Sequence, residues 1–299
     1  MGKYLVVVNP VSGRGRGMRR LSMIQRMLGG AGHEVFVEPT CHAGHARELA
    51  RAYHDKVNGI LSVGGDGTCH EVLNGLPPGS ITPFGMVPLG TGNAIAKEFG
   101  YKDDPRAVLE AVLSNSVARL DCGEMDSSRS RFLMMLSAGF DALAVQRLEE
   151  QRSGPIHMLD YVPLVLRELQ RLPHYAIRVI ADGEDKGVFS YVNCANFRSY
   201  GGPVEFASHA KPDDGVFDVI ATKLNIRRAF PRLIAGAFFR QFERLPGVQR
   251  FQAKHIRMEP ADGSEIPMQA DGEYRGMLPV EALVAPRSVS MFAPRDYLT

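Results

Sequence analysis

The segment Gly64-Gly65-Asp66-Gly67-Thr68 lies between an apolar run, residues 58–63, and a helix-like run, residues 69–76. Three glycines permit positive φ and a close approach of backbone to ligand, so amide N–H groups can surround phosphate oxygens at a helix N-terminus. Asp66 adds an acid beside them. A second turn of this kind, Pro88-Leu89-Gly90-Thr91-Gly92-Asn93, follows the apolar residues 84–87 and precedes a helical pattern over 94–99. A third opens the chain, where the strand-like residues 4–8 meet Asn9-Pro10-Val11-Ser12-Gly13-Arg14-Gly15-Arg16-Gly17. Each sits at the C-terminal end of an expected strand, where open parallel sheets collect ligands. Ordinary turn chemistry accounts for one such loop, but three that agree on strand, glycine turn and helix point to a nucleotide site.

The first part of the chain reads as strand 4–8, helix 18–29, strand 34–38, helix 44–53, strand 59–63, helix 69–76 and strand 84–87. Strict alternation of this kind implies a parallel sheet with right-handed crossovers. Asp104-Pro105 then starts a helix over 106–113, with aspartate at the N-cap and proline at the first helical position. From residue 131 the rhythm changes to strands at 132–136, 176–181, 188–195, 216–222, 255–259 and 280–285, divided by turn signals such as Asp182-Gly183. Helical runs near 142–171 and 226–242 interrupt this second, mostly β domain.

The 299 residues are 44% hydrophobic, enough for two cores. No apolar stretch approaches the roughly 20 residues that span a bilayer. The short first apolar run ends in Asn9-Pro10 and reads as a strand rather than a signal core, and Val6 breaks the myristoylation pattern after Met1-Gly2. A cytoplasmic protein is expected. A formal net charge of +2 gives no nucleic-acid footprint. Cys41, Cys69, Cys122 and Cys194 form no C-x-x-C pair and read as reduced thiols; Cys41, His42 and His45 can be drawn around zinc but lack a matching second half.

In this order the loops resemble the diacylglycerol kinase catalytic-domain superfamily, which includes bacterial lipid kinases, sphingosine kinases and ceramide kinases. The matching residues are Asn9 to Gly13, Gly64 to Thr68 followed by Glu71-Val72-Leu73-Asn74-Gly75, and Pro88 to Asn93. Gly139-Phe140-Asp141-Ala142, Lys211-Pro212-Asp213-Asp214-Gly215 and Asp271-Gly272-Glu273 extend the resemblance over nearly the whole chain. NAD kinases and phosphofructokinases also carry a GGDG-type turn, and NAD kinases share the two-domain plan. The resemblance implies ATP held by Asn9, Pro10, Ser12, Gly13, Thr40, Gly64, Gly65, Gly67, Thr68, Gly90, Thr91, Gly92 and Asn93. It also implies that Arg152 is brought to the phosphates, as a basic residue is in sphingosine kinases; Arg14 and Arg16 read equally as phosphate contacts or solvated loop residues.

On spacing alone Asp271-Gly272 is a hairpin signal. The resemblance places Asp271-Gly272-Glu273 across a cleft from the GGDGT loop, where a carboxylate accepts the lipid hydroxyl proton or holds magnesium. A carboxylate near anionic phosphates tends to a raised pKa, which suits a general base. Glu273 or Asp271 is the expected base with Asp66 orienting the hydroxyl, while sphingosine kinases give the base role to the GGDG aspartate, so the division among the three stays open. Residues 211–216 read as a type I turn or a hard-oxygen cation site; the resemblance implies a metal held by the Asp214 carboxylate and the carbonyls of Lys211 and Val216. Ala94 stands where soluble bacterial diacylglycerol kinases often carry an aspartate. Asp121 and Asp141 read first as cap or turn residues and second as headgroup contacts.

Around 226–242, Arg227, Arg228, Arg232 and Arg240 lie among Phe230, Leu233, Ile234, Phe238, Phe239 and Phe242, a composition that fits either a core-packing face with solvated arginines or an interfacial helix. The expected protein is an ATP- and magnesium-dependent lipid kinase, peripheral on the cytoplasmic side of a membrane. Its ATP is expected in a cleft between an α/β domain, residues 1–125 rejoined by 288–299, and a β-rich domain, residues 126–287. An NAD kinase and a non-catalytic lipid-binding regulator are the alternatives. The lipid stays open among diacylglycerol, a sphingoid base, phosphatidylglycerol and a polyprenol, and a homodimer is one of the states left open.

Overall fold

The computed structural model describes every residue except 91, 102–103, 127–129, 151–171, 202–203, 240, 296 and 298–299. The chain divides into two compact units, Met1–Leu120 with Arg287–Thr299, and Asp121–Pro286.

The first unit is built on four parallel strands, β1 (Lys3–Val8), β2 (Glu34–Pro39), β3 (Gly59–Gly64) and β4 (Phe84–Pro88), in the order β2-β1-β3-β4. Every residue of β3 and β4 is buried, as strands covered on both faces must be. Leu5, Val6 and Val7 are fully buried, and each such side chain contributes about 1.5–3 kcal/mol of hydrophobic stabilisation. The helices are α1 (Gly17–Gly30), α2 (His45–Tyr53), α3 (Asp66–Gly75), α4 (Ala94–Glu98) and α5 (Pro105–Leu113). The Asp104 side chain accepts the Arg106 N–H at 3.0 Å and Pro105 opens α5, so that helix starts where its cap residues require. Strand β1 pairs with β2 on one side and β3 on the other, which makes the β1/β3 boundary the point where the chain reverses its winding and opens a crevice at the strand C-termini.

The second unit is a β-sandwich. One layer is a six-stranded antiparallel sheet in the order Val248–Ala253, Phe217–Thr222, Tyr191–Ala195, Met135–Ala138, Pro267–Ala270, Glu273–Met277. In the other, His255–Pro260 pairs with Ile177–Ala181 and with the start of Val280–Phe292. Phe132, Phe189, Tyr191, Phe217 and Phe242 fill the core, with the Phe132 and Phe217 rings stacked at 5.4 Å. The helix Phe140–Glu150 follows the Gly139 turn, and Ile226–Phe238 is helical despite Pro231.

Two expected strands are each broken in two. Residues 132–136 divide into Ser130–Phe132 and Met135–Ala138, because Leu133 and Met134 donate their N–H groups to a side chain rather than to a strand. Residues 188–195 divide at Ser190 into Glu184–Phe189 and Tyr191–Ala195, whose partners are in different sheets. Among the described residues no helix is long and apolar enough to cross a membrane.

Candidate active site

In the first unit three loops converge at the C-terminal edge of the parallel sheet. Asn9, at the end of β1, donates its backbone N–H to Val63 O at 3.0 Å and its side-chain amide to Thr68 Oγ1 at 3.3 Å, and its own Oδ1 takes the Val11 N–H at 3.1 Å. One residue thus joins the first loop to the GGDGT loop. Thr40 emerges at the same edge, its N–H on Val8 O at 2.8 Å. Ser12 begins a 3-10 turn, and Gly13, at φ +69°, lies so near Leu89 that a Cβ would meet its backbone O at 3.1 Å.

The reason for glycine differs from the sequence expectation. Gly64, Gly65 and Gly90 do not have positive φ. What they supply is space: a Cβ on Gly90 would lie 2.7 Å from Gly65 Cα, one on Gly64 2.5 Å from Thr68 Oγ1, and one on Gly92 2.9 Å from Asp66 Oδ2. The GGDGT and Gly90 loops therefore touch backbone to backbone, with Leu89 N–H on Gly64 O at 2.8 Å. Gly65 O accepts from Thr68 and Cys69, so α3 begins at Asp66, three residues before the expected start, and Gly67 and Thr68 lie in its first turn. The positive end of that helix faces the convergence of the loops.

Asp66 is half-buried and accepts the Ile95 N–H at 3.2 Å, at the start of α4. Burial pushes its pKa up, opposed by the amides of Ile95 and Ala94 and by the Lys97 charge. Asn93 adopts φ +48° and donates to Gly90 O at 2.8 Å, which closes the third turn. Glu71, on α3, accepts N–H groups from Gly44 at 2.9 Å and Ala46 at 3.1 Å and so ties the GGDGT helix to the start of α2, just beyond Thr40. The sequence marked Glu71 as part of a motif but gave it no role, because its partners lie more than twenty residues away. Thr91 and Arg152 lie outside the described residues.

The acids of the second unit are held differently. Asp271 and Gly272, at φ +52° and +81°, are the two loop residues of the hairpin between Pro267–Ala270 and Glu273–Met277, a type I′ arrangement. The Asp271 carboxylate is buried and accepts the N–H groups of Leu133, Met134 and Met135 at 2.7, 2.8 and 3.0 Å. Burial pushes its pKa up to about 6, against the pull of these amides and of Arg275. Glu273 is half-exposed and pairs with Arg275 at 2.5 Å. Gln269 accepts the Gly272 N–H at 2.8 Å and donates to Ser137 at 2.6 Å, and Ser137 bonds Asp141 at 2.5 Å, so Asp141 belongs to a buried network beneath the turn.

In the turn at 211–216, Asp121 donates its N–H to Pro212 O and accepts the Gly215 N–H, both at 2.6 Å, and Asp214 Oδ1 takes the Val216 N–H at 3.2 Å. Partial desolvation raises the Asp214 pKa first, and the charges of Asp218, Asp121 and Asp213 raise it further. Of these acids, Asp218 is paired with Arg250 at 2.7 Å, while the oxygens of the turn are of the hard kind that divalent cations accept. All four cysteines are free thiols. His42 and His45 stack at 4.9 Å beside Glu48, and the backbone N–H of Cys41 donates to His45 Nδ1.

Residues 3–125 match the diacylglycerol kinase catalytic domain, and residues 134–293 match the YegS C-terminal NAD kinase beta sandwich-like domain. A diacylglycerol kinase of Mycobacterium tuberculosis (strain CDC 1551 / Oshkosh) is 28% identical over 99% of this chain and 96% of its own, and one of Staphylococcus aureus (strain MRSA252) is 26% identical over 97% and 92%. A diacylglycerol kinase structure from Bacillus anthracis str. Sterne shares the fold, with a TM-score of 0.77 at 21% identity over 99% of this chain and 98% of that one. An NAD kinase from Archaeoglobus fulgidus in complex with ATP has a TM-score of 0.55 at 14% identity, over 98% and 95%.

Proposed function

Because the chain belongs to the family that joins a diacylglycerol kinase catalytic domain to a YegS-type C-terminal sandwich, we propose that it transfers the γ-phosphate of ATP to a lipid hydroxyl, with diacylglycerol as the first substrate to test. The observation that carries this reading is the backbone contact of the Gly65 and Gly90 loops beside the N-terminus of α3, with Asp66 at their junction. Phosphoryl transfer demands positioned phosphates, neutralised charge and an oriented hydroxyl. Asn9, Ser12, Gly13, Thr40 and the GGDGT loop supply the first, and the positive end of α3 supplies part of the second. Magnesium carried with ATP would neutralise the developing phosphate charge.

Among the three acids, Asp66 and Glu273 are assigned the chemistry. Burial raises the Asp66 pKa, the direction that strengthens a carboxylate as a proton acceptor. The Glu273 carboxylate is half-exposed, whereas both Asp271 oxygens are occupied by backbone amides, which gives Asp271 the task of shaping the turn that carries Glu273. The 211–216 turn is assigned a structural magnesium through Asp214, with carbonyls of Lys211 and Val216.

The test is incubation with labelled ATP and magnesium against a panel holding diacylglycerol, a sphingoid base, phosphatidylglycerol, a polyprenol and NAD, with product identification. A phosphorylated lipid is expected. NADP formation without any lipid product would overturn the proposal in favour of an NAD kinase, and ATP-independent lipid binding alone would favour a regulator.

A further inference from the structure

The helix Ile226–Phe238 has an outer face of two kinds. Its inner face, Ile226, Ala229, Phe230 and Leu233, is buried in the sandwich core. Outside, Arg228 and Arg232 are exposed near the start, and Ile234, Phe238 and Phe239 are 47%, 61% and 68% exposed toward the end. Single exposed hydrophobic residues are ordinary on a protein surface. Three large ones within six positions, two of them adjacent aromatic rings at 5.5 Å, form a patch that needs a partner. The helix contains no acid, and the nearby Glu243 is engaged by Ser208 and by Arg250 at 3.6 Å, so the patch borders only positive charge from its own element.

We propose that this helix docks the protein on an anionic lipid surface, with Phe238, Phe239 and Ile234 entering the boundary between headgroups and acyl chains and Arg228 and Arg232 meeting lipid phosphates. Aromatic and aliphatic side chains beside arginines are the pairing that interfacial helices use. A protein partner with an acidic rim is the weaker fit, because two adjacent phenylalanines, 61% and 68% exposed, can enter a fluid interface without a preformed pocket. Arg227 is excluded from this role: its Nε donates to Leu172 O at 2.6 Å and so belongs to the fold. The proposal deepens the lipid-kinase reading, but it is measured without ATP or turnover, so each can fail alone.

The full chain is sedimented with phosphatidylcholine vesicles with and without phosphatidylglycerol. Binding should rise with the anionic lipid and fall with salt. Phe238→Ser with Phe239→Ser should weaken vesicle binding about tenfold or more, and Arg228→Glu, alone or with Arg232→Glu, should remove most of the salt dependence. Melting temperatures should hold, since these side chains project outward; because Arg232 also reaches Pro246 O at 3.3 Å, Arg228→Glu alone keeps the charge test independent of the fold. Unchanged vesicle binding by the stable phenylalanine variant would overturn the proposal. So would conversion of a dimer to a monomer by that variant with vesicle binding intact, which would assign the patch to a second copy of this chain.

Discussion

The glycine loops of the first unit and the Asp271 turn of the second both hold a carboxylate in place, by opposite means. Around Asp66 side chains are removed: Gly65, Gly90 and Gly92 leave room for backbones to meet and for the carboxylate to rest against the third loop. Around Asp271 the side chain is the structure, its two oxygens gathering three consecutive amides from a segment more than 130 residues earlier. The difference teaches that a buried acid is not by that fact a catalytic one. Asp66 stays half-exposed at the mouth of its loops, whereas Asp271 is shut into the core.

Asp271→Ala gives the largest expected effect and separates the two regions most sharply. It strands the N–H groups of Leu133, Met134 and Met135 in the core, at about 1–3 kcal/mol for each donor left unsatisfied. A loss of several kcal/mol in denaturant unfolding is expected; a loss below about 1 kcal/mol would mean that the amides find other partners. The same residue makes stability depend on pH. Its folded pKa of about 6 lies above the ordinary carboxylate value, so the folded state holds the proton more tightly than the unfolded chain. The contribution is fully present below about pH 4 and is lost as pH rises through 6, on the order of 3 kcal/mol in all. Asp271→Asn should flatten that part of the stability curve.

Asp66→Asn should do the reverse, lowering turnover about a hundredfold or more while the melting temperature stays within a few degrees. Near-normal turnover would remove Asp66 from the chemistry. The smallest effect is expected at Asp214→Ala. A cation bound only to the folded state stabilises it by mass action, so this variant should lose most of the rise in melting temperature that magnesium gives the parent protein. An identical magnesium response in both would exclude the metal from the 211–216 turn.

The sequence showed the first unit almost completely, since β1, β3 and β4 are largely apolar runs in strict alternation with helices and α5 carries its own N-cap and proline. It showed less of the second. Val248–Ala253 carries Gln249, Arg250 and Gln252 on alternate sides, and Pro267–Ala270 is four residues long, so neither presents an apolar pattern long enough to read. Val117–Met125 was also missed, its alternation obscured by Arg119, Asp121 and Glu124. The break at Leu133 and Met134 depends on Asp271, a partner that no local pattern can announce. The glycine motifs were legible as motifs, yet their physical reason, contact between loops rather than positive φ, appears only when Gly65 and Gly90 are seen together.

The central claim is that backbone contact between these two loops builds the nucleotide site, and the affinity of Gly90→Ala for magnesium-ATP, measured by calorimetry beside its melting curve, tests it most directly. The added methyl group meets Gly65 Cα, which has no flexible end to move aside. The account predicts an affinity at least about tenfold weaker in a protein that still melts cooperatively, since overpacking at one surface contact costs about 1–3 kcal/mol. Parental affinity in a folded Gly90→Ala protein would contradict it.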